Sequence, residues 1–469
     1  MKRLNNPTLA SKFFEFSRVN CEELNEKNYS AKSYNFLVKS LCQMGDHDGA
    51  SKLVFNGYLP DSSLLGFLIS SCAQAGKFDI AKGLIGQAQG NKVELNLFVY
   101  NNLLDLLVKR NRVNEAVCFF KEQHLRLDFH PDTCSFNILI KGLCRLGEVD
   151  RAFEFRNEME SFGCSPDIVT YNILIDGLCR SKKVDRGREL LKEIRSKTEF
   201  SPDVVTFTSV ISGYCKSGKM EEASVLFDEM ANFGIRPNSF TYNVLIDGFG
   251  KLGDMGLAVS MFEKMLLQGC SPDVVTLSSL IDGYCRIGQV DEAMKLWHEM
   301  GTRKISPNAY TFAILINALC KENRLTEARE FLRQLKWSNI VPKPFLYNPV
   351  IDGFCKAGNV DEANVIVEEM KEKRCNPDKL TFTILIIGHC MKGRMSEAIS
   401  IFRKMLTTGC APDSITVNSL TSCLLKAGMP NEANQILLTV SQRDFNPSLS
   451  SSRKIHSVMK NIDIPVAAY

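Results

Sequence analysis

The stretch Val204–Asn238, VVTFTSVISGYCKSGKMEEASVLFDEMANFGIRPN, decides the fold. In its first half Phe207, Val210, Ile211 and Tyr214 fall at i, i+3, i+4 and i+7, one apolar stripe on a helix. Thr208, Ser212 and Lys216 fall at i, i+4 and i+8 on another face. Gly218 ends the helix, because glycine accepts the left-handed conformation common at helix ends. Ala223, Leu226, Phe227 and Met230 make a second stripe, and Pro237–Asn238 closes the unit. Two short helices with one apolar face each predict an antiparallel hairpin. A single hairpin leaves apolar surface uncovered, so the unit needs neighbours.

Working outward, the same template repeats over 31–61, 62–96, 97–132, 133–167, 168–203, 204–238, 239–273, 274–308, 309–343, 344–378, 379–413 and 414–448. The twentieth position, where the paired helices approach closely, is Ala50, Ala81, Ala116, Ala152, Gly187, Ala223, Ala258, Ala293, Ala328, Ala363, Ala398 and Ala433. Eleven of these units carry proline next to last, from Pro60 to Pro447, and 62–96 has Leu95 instead. This register predicts an all-α solenoid in which each unit contacts only its neighbours.

Composition agrees. A net charge of +4 is too mild to indicate nucleic acid by itself. Of 17 cysteines, eight (Cys42, Cys144, Cys179, Cys215, Cys285, Cys320, Cys355, Cys390) share one repeat position beside the apolar stripe. With no CxxC pair and no close Cys/His cluster, they read as small core residues in a reducing compartment, and no metal or other cofactor is expected. No apolar run is long enough for a membrane span. Lys2, Arg3, Lys12 and Arg18 against Glu15 carry a faint presequence-like bias. Thr8–Arg18 also matches the second helix of a unit, with Ala10 at the close approach and Phe13–Phe14 in the stripe. That spacing favours an N-terminal helical remnant or partial repeat over 1–30.

The phrases VTYNILIDGLCRSKKVDRGRELLKEI (169–194) and VVTLSSLIDGYCRIGQVDEAMKLWHEM (274–300) resemble pentatricopeptide repeats, and the resemblance covers 31–448. The period of 35 residues and the Pro-Asp ends distinguish these units from tetratricopeptide repeats, which are built on 34. The resemblance implies a right-handed α-solenoid superhelix of about twelve helix-turn-helix repeats. It also implies single-stranded RNA binding at about one base per repeat. The even unit length is similar to the P-type subclass, typical of plant mitochondria and plastids. A mitochondrial location is therefore expected, with the plastid as the alternative.

The residues make their own case through a polar stripe. The fifth position is Asn35, Asn101, Asn137, Asn172, Asn243, Asn348 and Asn418, or Thr208 and Thr383, or Ser278. Asparagine is a poor helix former, and its amide offers the donors and acceptors that a base edge requires. Two turns later a cation recurs: Lys109, Arg145, Arg180, Lys216, Lys251, Arg286, Lys321, Lys356 and Lys426. A ladder of such cations fits a phosphate backbone.

The second position is apolar: Phe98, Val169, Val205, Phe240, Val275, Tyr310, Phe345, Leu380 and Ile415. The resemblance implies that these side chains sandwich bases, while packing of unit on unit would call for similar residues. The last position is Asp61, Asp132, Asp167, Asp203, Asp273, Asp378 and Asp413, or Asn96, Asn238 and Asn308, then Lys343 and Ser448. Asp or Asn before a helix is also an ordinary N-cap. Pairing with the fifth position favours a reading role: Thr208 and Ser278 go with Asn238 and Asn308, whereas Asn goes with Asp in six units. By resemblance, Asn/Asp prefers uracil, Thr or Ser with Asn adenine, Thr/Asp guanine and Asn/Ser cytosine. The array then reads 5′-UnUUUAUAnUGC-3′, where Gly66/Asn96 and Ala313/Lys343 have no matching rule.

After Ser448, serines 450–452 and Ile455, Val458 and Met459 suggest a capping helix and tail over 449–469. The six histidines are scattered, with no deaminase motif and no phosphate loop. Two function classes follow. One is a non-enzymatic RNA binder acting in stabilisation, processing, splicing or translation of an organellar transcript, with recruited processing proteins as further partners. The other is a protein-interaction scaffold of the tetratricopeptide type.

Overall fold

A computed structural model describes residues 27–54, 60–124, 130–196, 201–335 and 340–441. The helix expected at Thr8–Arg18, the capping helix over 449–469 and the reader Ser448 lie outside these residues. The described residues form 24 α-helices and one 3₁₀ turn, with no strand. The chain divides into two compact units, 1–237 and 238–469.

In the first unit the helices pair as Lys27–Gln43 with His47–Val54, Ser62–Gln74 with Phe78–Gly90, Leu97–Lys109 with Val113–His124, Thr133–Leu146 with Val149–Glu158, Ile168–Arg180 with Val184–Ser196, and Val204–Lys216 with Met220–Asn232. In the second unit the pairs are Ser239–Leu252 with Met255–Leu267, Val274–Arg286 with Val290–Thr302, Ala309–Lys321 with Leu325–Gln334, Pro344–Lys356 with Val360–Glu372, Lys379–Met391 with Met395–Thr407, and Ser414–Lys426 with Pro430–Ser441. Within each unit a first helix packs on its own second helix and on the first helix of the next hairpin. Each unit is an all-α repeat solenoid.

The local reasons match the sequence pattern. Phe207, Val210 and Ile211 have no exposed surface, and Tyr214 is buried. Gly218 adopts φ 75°, and the amides of Gly218 and Lys219 close the helix on the carbonyls of Cys215 and Tyr214. Every alanine at the twentieth position is fully buried, because a larger side chain would separate the hairpin's helices. At the starts of the second helices, ion pairs link neighbouring hairpins: Asp150 with Lys183 and Arg186, Asp185 with Lys219, Asp291 with Arg324, and Asp361 with Arg394.

One packing feature lay unread in the sequence. The tenth residue of seven first helices is glycine: Gly142, Gly177, Gly213, Gly248, Gly283, Gly353 and Gly388. A Cβ on Gly177 would stand 2.4 Å from Cys144 Sγ, one on Gly213 2.5 Å from Cys179 Sγ, and one on Gly388 2.6 Å from Cys355 Sγ. The recurrent cysteine of one repeat thus fills the gap left by the glycine of the next. All described cysteines are free thiols, and burial pushes Cys144, Cys179, Cys285, Cys320, Cys355 and Cys390 up to about 12. They are packing residues without thiolate reactivity at neutral pH.

Candidate nucleic-acid interface

The last residue of a repeat enters the next first helix as its N-cap. Asp203 accepts from the Thr206 backbone N–H at 2.8 Å, and the Thr206 hydroxyl accepts from the Asp203 N–H at 3.1 Å. This reciprocal capping box recurs at Asp132, Asp167, Asn238, Asp273, Asn308 and Asp378. Its partner is a fully buried Ser135, Thr170, Thr241, Thr276, Thr311 or Thr381 at the third position. Lys343 makes no side-chain cap, and the helix after it begins with Pro344 and has Leu346 where those helices carry Ser or Thr.

The fifth residue joins the same network. The amides of Asn101, Asn137, Asn172, Asn243 and Asn348 donate to Oδ1 of Asp132, Asp167, Asp203, Asp273 and Asp378 at 3.2–3.3 Å. The carbonyls of Asn101, Asn137, Asn243 and Asn348 accept from the next repeat's Ser135, Thr170, Thr276 and Thr381 at 2.6–2.8 Å. Ser278 and Thr383 bond the hydroxyls of Thr311 and Thr416, each at 2.7 Å. The fifth and last residues therefore touch in these five Asn/Asp repeats, and capping and pairing are one network there. Their matching also has an intramolecular cause: an amide at position five reaches the capping carboxylate, whereas a hydroxyl stops at the threonine.

The polar stripe is less open than its pattern suggests. Asn243, Asn348 and Ser278 are only 7%, 3% and 3% exposed, at the seam between consecutive first helices, and Thr208 is 3% exposed. Asn35, Asn137, Asn172 and Asn418 are half-buried. Asn172 stands apart, because its Oδ1 is buried with no hydrogen-bond partner. Burial alone would raise Asp132, Asp203, Asp273 and Asp378, but the Ser or Thr bonds and the asparagine amide outweigh it and hold these carboxyls below the usual range. Asp413 is held low in the same way, by Thr416 and Lys379.

Beside the seam, the second-position side chains are not packed away. Phe98, Val169, Val205, Phe240, Val275, Tyr310, Phe345, Leu380 and Ile415 are 46–71% exposed. Packing of unit on unit would have buried them. Between two of them lies a cleft of about 430 Å³. Val169 and Val205 flank it, Asn172 and Asp203 line it, and Lys141, Arg145 and Arg180 contribute to its lining. All nine cations of the thirteenth position are exposed. Sequence reasoning missed the third-position threonines and the acids at the ninth position, although both recur at a fixed spacing.

Comparison with known proteins gives the family and the fold. The PPR repeat family matches at 131–180, 202–251, 239–286, 274–321, 342–391 and 385–426, and further PPR repeats match at 32–55, 98–122, 169–198, 310–340 and 415–443. The chain belongs to the pentatricopeptide repeat family. A pentatricopeptide repeat-containing protein of Arabidopsis thaliana is 55% identical over 144 residues, 30% of this chain and 26% of that protein. A second from the same plant is 30% identical over 97 residues, 20% of this chain and 19% of that one. The chain thus spans about a quarter or less of these curated relatives. Among solved structures, maize PPR10 aligns with a TM-score of 0.66 at 23% identity, over 97% of this chain and 69% of its own. PPR10 in complex with an 18-nt psaJ RNA element aligns at 0.63 and 21% identity, over 94% of this chain and 63% of its own. At these identities the likeness establishes the fold.

Among the described residues no group of three or more His, Cys, Asp or Glu side chains is placed to hold a metal ion. None of the described helices is long and apolar enough to cross a membrane.

Proposed function

We propose that this pentatricopeptide repeat protein binds single-stranded RNA in a sequence-selective, non-enzymatic way, with bases entering the spaces between consecutive second-position side chains. The observation that carries the reading is the row of half-exposed apolar side chains, all but Leu380 in repeats that also carry an exposed cation at the thirteenth position. Leaving nine such side chains in water earns no folding energy, but an unstacked base supplies the apolar face they lack. At the Val169–Val205 cleft a base edge would meet the half-buried Asn172 side chain and the Asp203 carboxylate, with phosphate near Arg145 and Arg180. That PPR10 has been solved with an RNA element on a similar fold supports the reading.

The finer proposal is the target 5′-UnUUUAUAnUGC-3′ in an organellar transcript, with a mitochondrial address. Gel shifts with this RNA, a scrambled RNA and the same sequence as DNA test the binding. Tight binding to the first alone is expected, and equal affinity for all three would overturn selectivity. Changing Ser278→Asn together with Asn308→Asp is expected to move that repeat's preference from adenine to uracil. If the variant and the parent rank the two oligonucleotides alike, the paired-residue rule fails there. A fluorescent fusion of the full reading frame tests the address.

A further inference from the structure

The cations at the thirteenth position are not equivalent. Lys109, Arg180, Lys251, Arg286 and Lys356 each pair with an aspartate one helical turn earlier: Asp105, Asp176, Asp247, Asp282 and Asp352, at 2.6–2.7 Å. An acid four residues before a cation is the favourable order on a helix. Where the ninth residue is Ser212, Asn317 or Ser422, the cations Lys216, Lys321 and Lys426 have no such partner. In 133–167 the ninth residue is itself basic, so that Lys141 and Arg145 stand a turn apart. Both are exposed, and among the described residues no ion pair holds either. Both also line the cleft between Val169 and Val205.

We propose that the ninth residue of each repeat sets how strongly that repeat holds a phosphate. The inference rests on the RNA reading and names where along the array the backbone is gripped. An aspartate at position nine cancels the cation's charge at a distance and competes with phosphate for its donors. A neutral residue leaves one full positive charge, and Lys141 beside Arg145 makes two. In the first unit the firmest hold is at 133–167, and the next is at 204–238. In the second unit it falls on 309–343 and 414–448. Repeats with Asp at position nine read their base with little help from the backbone. The salt-dependent part of the affinity is thus concentrated in a few repeats.

The test uses the full chain and the predicted RNA, with dissociation constants measured over a range of salt. Three pairs of substitutions are compared. Asp247→Ser with Asp352→Ser frees two cations, and is expected to tighten binding about two-fold per position, the scale of an exposed helical ion pair, and to steepen the salt dependence. Asn317→Asp with Ser422→Asp is expected to weaken binding by a similar factor and flatten it. Glu330→Ser with Glu368→Ser removes the same charge from acids paired with Arg333 and Lys371 on second helices, and is expected to change neither. Thermal unfolding of each variant separates loss of fold from loss of contact. If the parent binds RNA and the first two pairs move affinity no more than the third, the ninth-residue inference is overturned and the RNA reading stands. If the parent fails to bind RNA, both fall.

Discussion

Two sides of the same first helix follow opposite rules. One carries the cysteine and glycine contact and the apolar stripe, with Leu174, Leu178, Phe207 and Val210 at zero exposure. The other carries Val169, Val205 and Phe240 at 50%, 51% and 63% exposure, beside cations in open solvent. The first side is what holds hairpin to hairpin, and any change of volume there is felt. The second recurs with equal regularity, yet folding gains little from it. A feature repeated without a folding reward marks the side on which a ligand is expected.

The strongest way to break this contrast is to disturb the buried side. Gly177→Ala places a Cβ 2.4 Å from Cys144 Sγ and 2.7 Å from its Cβ, and a loss of about 1–3 kcal/mol in unfolding free energy is expected. Gly86→Ala meets nothing within 4 Å, and the better helix propensity should stabilise by up to about 1 kcal/mol. Denaturant unfolding of both proteins checks the sign. If Gly177→Ala is neutral or stabilising, the close approach at the tenth position does not constrain the stack.

The exposed side should behave in the reverse manner. Phe240→Ala, truncating a side chain 63% exposed, should leave stability within about 0.5 kcal/mol. It should cost about 1–3 kcal/mol of RNA binding, the range for one stacked base. Titration calorimetry beside thermal unfolding separates the two. Loss of stability with unchanged affinity would assign Phe240 to packing and remove the contrast at that repeat.

The seam between the two sides gives the smallest effect, read through pH. Asp273 and Asp378 are held below their ordinary value, so their stabilising contribution is complete above about pH 4 and is lost as pH falls through the folded values. Asp273→Asn with Asp378→Asn keeps an oxygen for the cap but cannot titrate. The double variant is therefore expected to lose less stability than the parent between about pH 4 and pH 2. Parallel melting curves across that interval would refute the carboxylate network as the source of the acid sensitivity.

Most of the fold was legible because burial repeats. The alanines at position twenty, the stripe of Phe207 to Tyr214 and the stop at Gly218 state a helical hairpin in period and spacing alone. The candidate interface was legible in part. The exposure of Phe240 and Tyr310 could not be read, because stacking on a base and packing on a neighbour call for the same side chains. The openness of the seam could not be read either: Asn243 and Asn348 form a polar stripe in the sequence. That stripe is closed because Thr276 and Thr381, from the following repeats, cover it and bond to it.

The sequence by itself determined the unit, its number of copies, the identity of its recurring residues and hence the family, since all of these are properties of order along the chain. Which faces stay open was decided only by the tertiary structure. Exposure at position two and the bond from position five to the last residue depend on atoms some thirty residues apart that meet when one hairpin stacks on the next.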